Sequence, residues 1–105
     1  MSGEMSHGWA NRETWAFQMI LNNDERFQRD VHETARNLRT WNAHPRWIGE
    51  QLVRVYREWA LANYADDSDA RLLVREVGSF WRIDELEIGE AVLRDLAEIE
   101  EVETR

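Results

Sequence analysis

The chain has no cysteine, no lysine, one proline and only five glycines in 105 residues. Without cysteine there is no disulfide framework and no thiolate metal site, which fits a reducing cytoplasm. One proline and five glycines are too little punctuation for a many-stranded β-protein and favour helices joined by short loops. No apolar run approaches the roughly 20 residues of a membrane span. Residues 1–9 (MSGEMSHGW) lack the apolar stretch of a signal peptide, so a cytoplasmic location is expected, with no membrane partner. All thirteen cations are arginine. A GC-rich genome produces this pattern; adaptation to high salt would spread acid over the whole surface, and this chain does not.

What is present points to one folded domain. A chain of this length buries a single modest core. Its 43% hydrophobic content, with six Trp, three Phe and two Tyr, excludes disorder even though 32% of the residues are charged. The net charge is −8, and it is concentrated at one end. Residues 84–105 hold nine acids and two arginines, whereas residues 1–83 hold twelve acids and eleven arginines. Such asymmetry speaks to partners and solubility. Binding to a phosphate backbone needs clustered cations, so the expected partner is a basic protein surface and not nucleic acid itself.

The spacing of apolar residues predicts an all-α bundle of about five helices without a sheet. Residues 1–9 read as a flexible tail, with Trp9 able to dock back, and residues 10–105 as the domain. Asn11 is a good N-cap with Glu13 in the first turn. The helix that follows is apolar on nearly every side and is expected to be central and buried. Asn22-Asn23-Asp24 reads as a turn and a new cap. A second helix, about 25–39, has Phe27, Val31, Ala35 and Leu38 on one face. Pro45 suits the start of a third, about 46–63, striped by Ile48, Leu52, Val55, Tyr56, Trp59 and Ala62. Asp66–Asp69 caps a short fourth helix holding Leu72, Leu73 and Val77, which Gly78 stops. Asp84 and Glu87 stand in capping-box spacing, with Ile83 and Ile88 placed as a hydrophobic staple. The last helix, about 85–100, buries Ile88, Val92, Leu96 and Ile99.

No enzyme motif survives inspection. His32-Glu33-Thr34-Ala35-Arg36 begins like a zinc-protease helix, but Arg36 stands where the second histidine belongs. His7 and His44 lie in expected loops without acids at ligand spacing, and all three histidines read as surface residues. The Asp66–Asp69 run lacks the central glycine and distal glutamate of a calcium loop. There is no phosphate loop and no nucleophile elbow. Neither a catalytic residue, a metal nor a cofactor is expected.

Two surfaces are candidates for binding. The first is the acidic face of the last helix, with Glu87, Glu90, Asp95, Glu98 and Glu101. Its acids recur about every 4–6 Å of helix axis, similar in scale to phosphates along a strand. Arg94 is spaced to relieve Glu90 and Glu98. A solvated face is the plain alternative. The second candidate is the connection around Trp41 and Trp47, flanked by Arg39 and Arg46. Core packing is the default for these tryptophans, and an exposed aromatic contact is the alternative, since Trp and Arg anchor interfaces. Trp15, Phe17, Phe27, Tyr56, Trp59 and Phe80 fit core stripes.

Trp9-Ala10-Asn11-Arg12-Glu13-Thr14-Trp15 and Asn22-Asn23-Asp24-Glu25 resemble a family of short acidic proteins found mostly in phages and mobile elements. Those proteins open on W-x-N-x-E-T-W and continue into an apolar helix. Ile83 to Glu90 looks like the family's closing element. This chain departs at Gln18-Met19-Ile20, where an apolar-Trp-Leu run is frequent, and at Gly89, where alanine is usual. The resemblance implies origin and architecture. Combined with the acidic helix, it leads to the expectation of an inhibitor of a host protein with a basic, nucleic-acid-binding surface. An anti-CRISPR or anti-restriction protein acting by nucleic-acid mimicry fits that description. The alternative is a non-enzymatic adaptor using the aromatic loop. A second copy of the chain is a further candidate partner, completing wide apolar helix faces as a homodimer.

Overall fold

The computed structural model describes residues 8–104; residues 1–7 of the expected tail, including His7, and Arg105 lie outside the described residues. Among the described residues the chain forms five α-helices and no sheet: α1 (Arg12–Asn22), α2 (Glu25–Arg39), α3 (Pro45–Ala62), α4 (Ser68–Val77) and α5 (Glu85–Glu103). A single 3₁₀ turn, Phe80–Arg82, precedes α5. None of these helices is long and apolar enough to cross a membrane.

The caps stand where side-chain chemistry dictates. Asn11, Asp24 and Asp67 accept from backbone N–H groups in the first turns of α1, α2 and α4. His44 does the same for α3, its Nδ1 accepting from the Arg46 N–H at 3.1 Å, with Pro45 as the first helical residue. Gly78 ends α4 at φ +75°, a conformation that glycine adopts without steric penalty.

Helices α3 and α5 form the centre of the molecule, with α1 on α4 and α2 alongside. Their crossing is set by two glycines. A Cβ on Gly49 would lie 1.7 Å from the Glu85 carbonyl oxygen, and one on Gly89 would lie 1.8 Å from the Pro45 carbonyl oxygen. The helices therefore touch backbone to backbone, an approach that any side chain blocks. Ile48, Leu52, Ile88, Val92 and Leu96 fill the core on either side of the crossing. The molecule is only 24 Å thick in its shortest dimension. That is room for two layers of helices, each about 10–12 Å across.

Two expectations change in the folded state. The buried face of α3 carries Ile48, Gly49, Leu52, Val53, Tyr56 and Ala60, so the face is rotated from the predicted stripe and Val55 and Ala62 are exposed. The close approach at Gly49 is the cause, since it turns that side of α3 toward α5. Helix α1 is buried at Thr14, Ala16, Phe17 and Leu21 as expected, but Met19 faces out and Gln18 is buried, its Oε1 without a partner among the described residues. Trp9, the last residue of the expected tail, packs against the core, the docking back that its position allows.

Candidate functional site

Helix α5 holds its acids in different states. Glu87 is half-buried, and its Oε1 accepts the Ala10 N–H at 2.9 Å. This carboxylate was expected to complete a capping box on Asp84. Half of that box forms: Asp84 accepts from the Glu87 N–H, while the Asp84 N–H donates to Thr14 Oγ1 at 2.8 Å and not to Glu87. Asn11 caps α1 through Oδ1 and donates from Nδ2 to the Arg82 carbonyl at 2.7 Å. The Arg12 guanidinium donates to the Glu76 and Val77 carbonyls at the end of α4. The two sequence signatures, Trp9–Trp15 and Ile83–Glu90, are thus one hydrogen-bonded clasp, and their residue types answer to folding.

The remaining acids of the proposed face divide further. Glu90, Glu98 and Glu101 are exposed. Asp95 is half-buried, and burial pushes its carboxyl up while His32 pulls it back. Among the described residues no ion pair joins Arg94 to Glu90 or Glu98. Glu90 and Glu98 are eight residues apart, about 12 Å along the axis. With Glu87 and Asp95 drawn inward, the row of carboxylates has gaps.

Glu100, which the sequence does not single out, has a defined partner. Arg39 meets it with two parallel bonds, Nη1 to Oε1 at 2.8 Å and Nη2 to Oε2 at 2.5 Å, and Arg36 Nε lies 3.8 Å away. The Arg39 bonds hold the Glu100 carboxyl below its usual range. Arg39 therefore fastens the end of α2 to the end of α5 and does not belong to the aromatic loop. The basic last turn of α2 is visible in the sequence; its partner 61 residues on is not.

The tryptophans do not pack as the default expectation had it. Trp41 is 81% exposed and Trp47 43% exposed, because the turn at residues 40–44 buries only Ala43 against the core. Asn42 makes that turn at φ +56°. Arg46 is exposed beside them. Trp81, at 82%, is the most exposed of all. In a 3₁₀ turn residues three apart eclipse, so Phe80 and Ile83 turn inward together and Trp81 is left facing water.

Trp81 and Phe80 line a cleft of about 270 Å³ against α3, with Glu50, Gln51, Arg54 and Arg57 opposite. Trp47 stands one turn earlier on the same face of α3 as Glu50, Gln51 and Arg54. At the edge of this cleft the Glu85 carboxyl is pushed up by burial and by Glu50, against the pull of Arg46. The surface thus combines two large rings with charges of both signs, which equips it for non-covalent contact. Among the described residues no group of three or more His, Cys, Asp or Glu is arranged to hold a metal ion. Searches of protein-family models, curated proteins and solved structures found no match to this chain.

Proposed function

We propose that the chain is a non-enzymatic binding protein whose contact surface is built on Trp41, Trp47 and Trp81. The observation that carries this reading is the exposure of Trp41 and Trp81, each above four-fifths. Tryptophan is among the more buried residue types on average. Covering two such rings, at roughly 200 Å² each and about 25 cal/mol per Å², releases on the order of 10 kcal/mol before the costs of association. Trp and Arg are the residues that most often anchor interfaces, and Arg46, Arg54 and Arg57 stand along the same stretch of α3. The partner class we assign is a host protein with a basic surface. The net charge of −8 supports it, and the resemblance to phage and mobile-element proteins supports an inhibitory, anti-defence role.

The mimicry reading is the second one. It is favoured by the exposure of Glu90, Glu98 and Glu101 on α5 and by the net charge. The two readings separate in one experiment: capture of partners from host lysate at low and high salt with the wild-type chain and two variants. The first variant is Trp41→Ala/Trp47→Ala/Trp81→Ala. The second is Glu90→Arg/Glu98→Arg/Glu101→Arg, with Glu87 left intact because it holds Ala10. A partner lost by the tryptophan variant and retained at high salt supports the aromatic surface. A partner kept by that variant, lost by the charge-reversed one and released by salt overturns it in favour of mimicry.

A further inference from the structure

A separate groove of about 390 Å³ runs between α2 and α3. Its α2 wall is polar and carries Asp30, Glu33 and Asn37. Its α3 wall is apolar and carries Val55, which is 49% exposed, and Trp59. Dehydrating Asp30 and Glu33 against Val55 requires a cation between them. The nearby cation is occupied elsewhere. Arg26, at one end, bonds Asp69 on α4 at 3.1 Å, and its guanidinium lies 4.7 Å from the Phe27 ring and 5.6 Å from the Trp59 ring. Among the described residues neither Asp30 nor Glu33 has an ion-pair partner.

We propose that this groove docks a cationic amphipathic helix from a partner protein. Asp30 and Glu33 are three residues apart, about one turn of α2. They match two Lys or Arg side chains spaced i, i+3 or i, i+4 on a helix lying alongside. The aliphatic face of that helix would cover Val55 and the edge of Trp59, in the helix-in-groove mode of recognition. Charge complementarity fixes the sign of the partner, and the apolar α3 wall fixes its amphipathic character. The proposal does not depend on the tryptophan surface, since Trp41, Trp47 and Trp81 do not line this groove.

The test uses the full chain and three labelled helical peptides, followed by fluorescence anisotropy at low and high salt. One has an amphipathic Leu/Lys pattern, the second has Glu in place of each Lys, and the third scrambles the Leu/Lys composition so that no apolar stripe forms. The Leu/Lys helix is expected to bind, and the other two to bind at least about tenfold more weakly. Asp30→Asn/Glu33→Gln and Val55→Asp, all at exposed positions, are each expected to weaken binding by about tenfold. Glu90→Gln/Glu98→Gln and Trp41→Ala/Trp81→Ala are expected to bind within about twofold of wild type. Far-UV circular dichroism confirms that each variant is folded. The proposal is overturned if the Leu/Lys helix fails to bind the wild-type chain, or if the scrambled peptide binds as well. It is equally overturned if the Asp30/Glu33 variant binds normally while the Glu90/Glu98 variant does not, since α5 would then be the docking element.

Discussion

Two glycines carry the tightest single-residue constraints. Gly49 and Gly89 leave no space for a methyl group, because the atoms a Cβ would meet are backbone carbonyls and not flexible side chains. Gly49→Ala or Gly89→Ala must push α3 and α5 apart. Overpacking a core typically costs about 1–3 kcal/mol, and a displaced helix pair belongs at the upper end. Urea unfolding of either variant is expected to show a loss of about 3 kcal/mol, and a loss below about 1 kcal/mol would mean that the helices do not cross there. Trp41 and Trp81 make the opposite prediction. Trp41→Phe/Trp81→Phe is expected to change stability by less than about 0.5 kcal/mol, as surface substitutions do. It should also remove the red-shifted, readily quenched part of the tryptophan emission. Unchanged acrylamide quenching would place both rings inside.

At the scale of elements, the fold is fastened at two junctions. The first joins the start of α1 to the start of α5 through Thr14, whose hydroxyl donates to Asn11 and accepts from the Asp84 N–H. Thr14→Val keeps the shape and removes both bonds, leaving the half-buried Asp84 N–H unmet. Such a group costs about 1–3 kcal/mol, a loss that thermal unfolding would register. The second junction is the Arg39–Glu100 clamp between the ends of α2 and α5. Because Arg39 holds Glu100 below its ordinary value of 4.5, the folded chain binds fewer protons there than the unfolded one. The clamp's contribution is complete above the ordinary value and is lost as pH falls through the lowered one. Arg39→Ala is therefore expected to lower stability near neutral pH and to flatten the fall in stability with acid. Asp95 works in the reverse sense. Burial raises its carboxyl, so its ionisation opposes folding above the raised value, and the penalty vanishes below the unfolded one. Asp95→Asn is expected to stabilise by up to about 0.5 kcal/mol at neutral pH and not at all in acid. Urea melts at the two pH values check both statements.

For the molecule as a whole, charge and exposed aromatic area act on different terms. A net charge of −8 opposes self-association and would speed encounter with a basic partner, and both effects are screened over about 8 Å at physiological ionic strength. The tryptophan rings contribute area, which salt does not screen. Binding governed by the aromatic surface should therefore show an association rate that falls with salt and a dissociation rate that hardly moves. Stopped-flow or surface-plasmon measurements on the captured partner separate the two. A dissociation rate that climbs steeply with salt would shift the contact to α5.

The local rules written along the chain were enough for the class and for most boundaries. Asn11, Asp24, Asp67 and Pro45 start helices for reasons that are complete within three or four residues, and Gly78 stops one for the same kind of reason. The periodicity of Ile88, Val92 and Leu96 selects a buried face of α5 without knowledge of what covers it. Relations between distant segments were not legible. The backbone contact at Gly49 and Gly89 rotates α3 away from its apparent stripe, and that rotation exposes Val55 and opens the groove beside Asp30. Glu87 reaches Ala10 and Arg39 reaches Glu100 across 77 and 61 residues, so the acidic helix that composition presents as one uniform face is divided between clasp and solvent. Sequence by itself decides the helices because capping and periodicity are short-ranged. Tertiary structure alone decides which charges and rings are left for a partner, because that depends on how closely two backbones can approach.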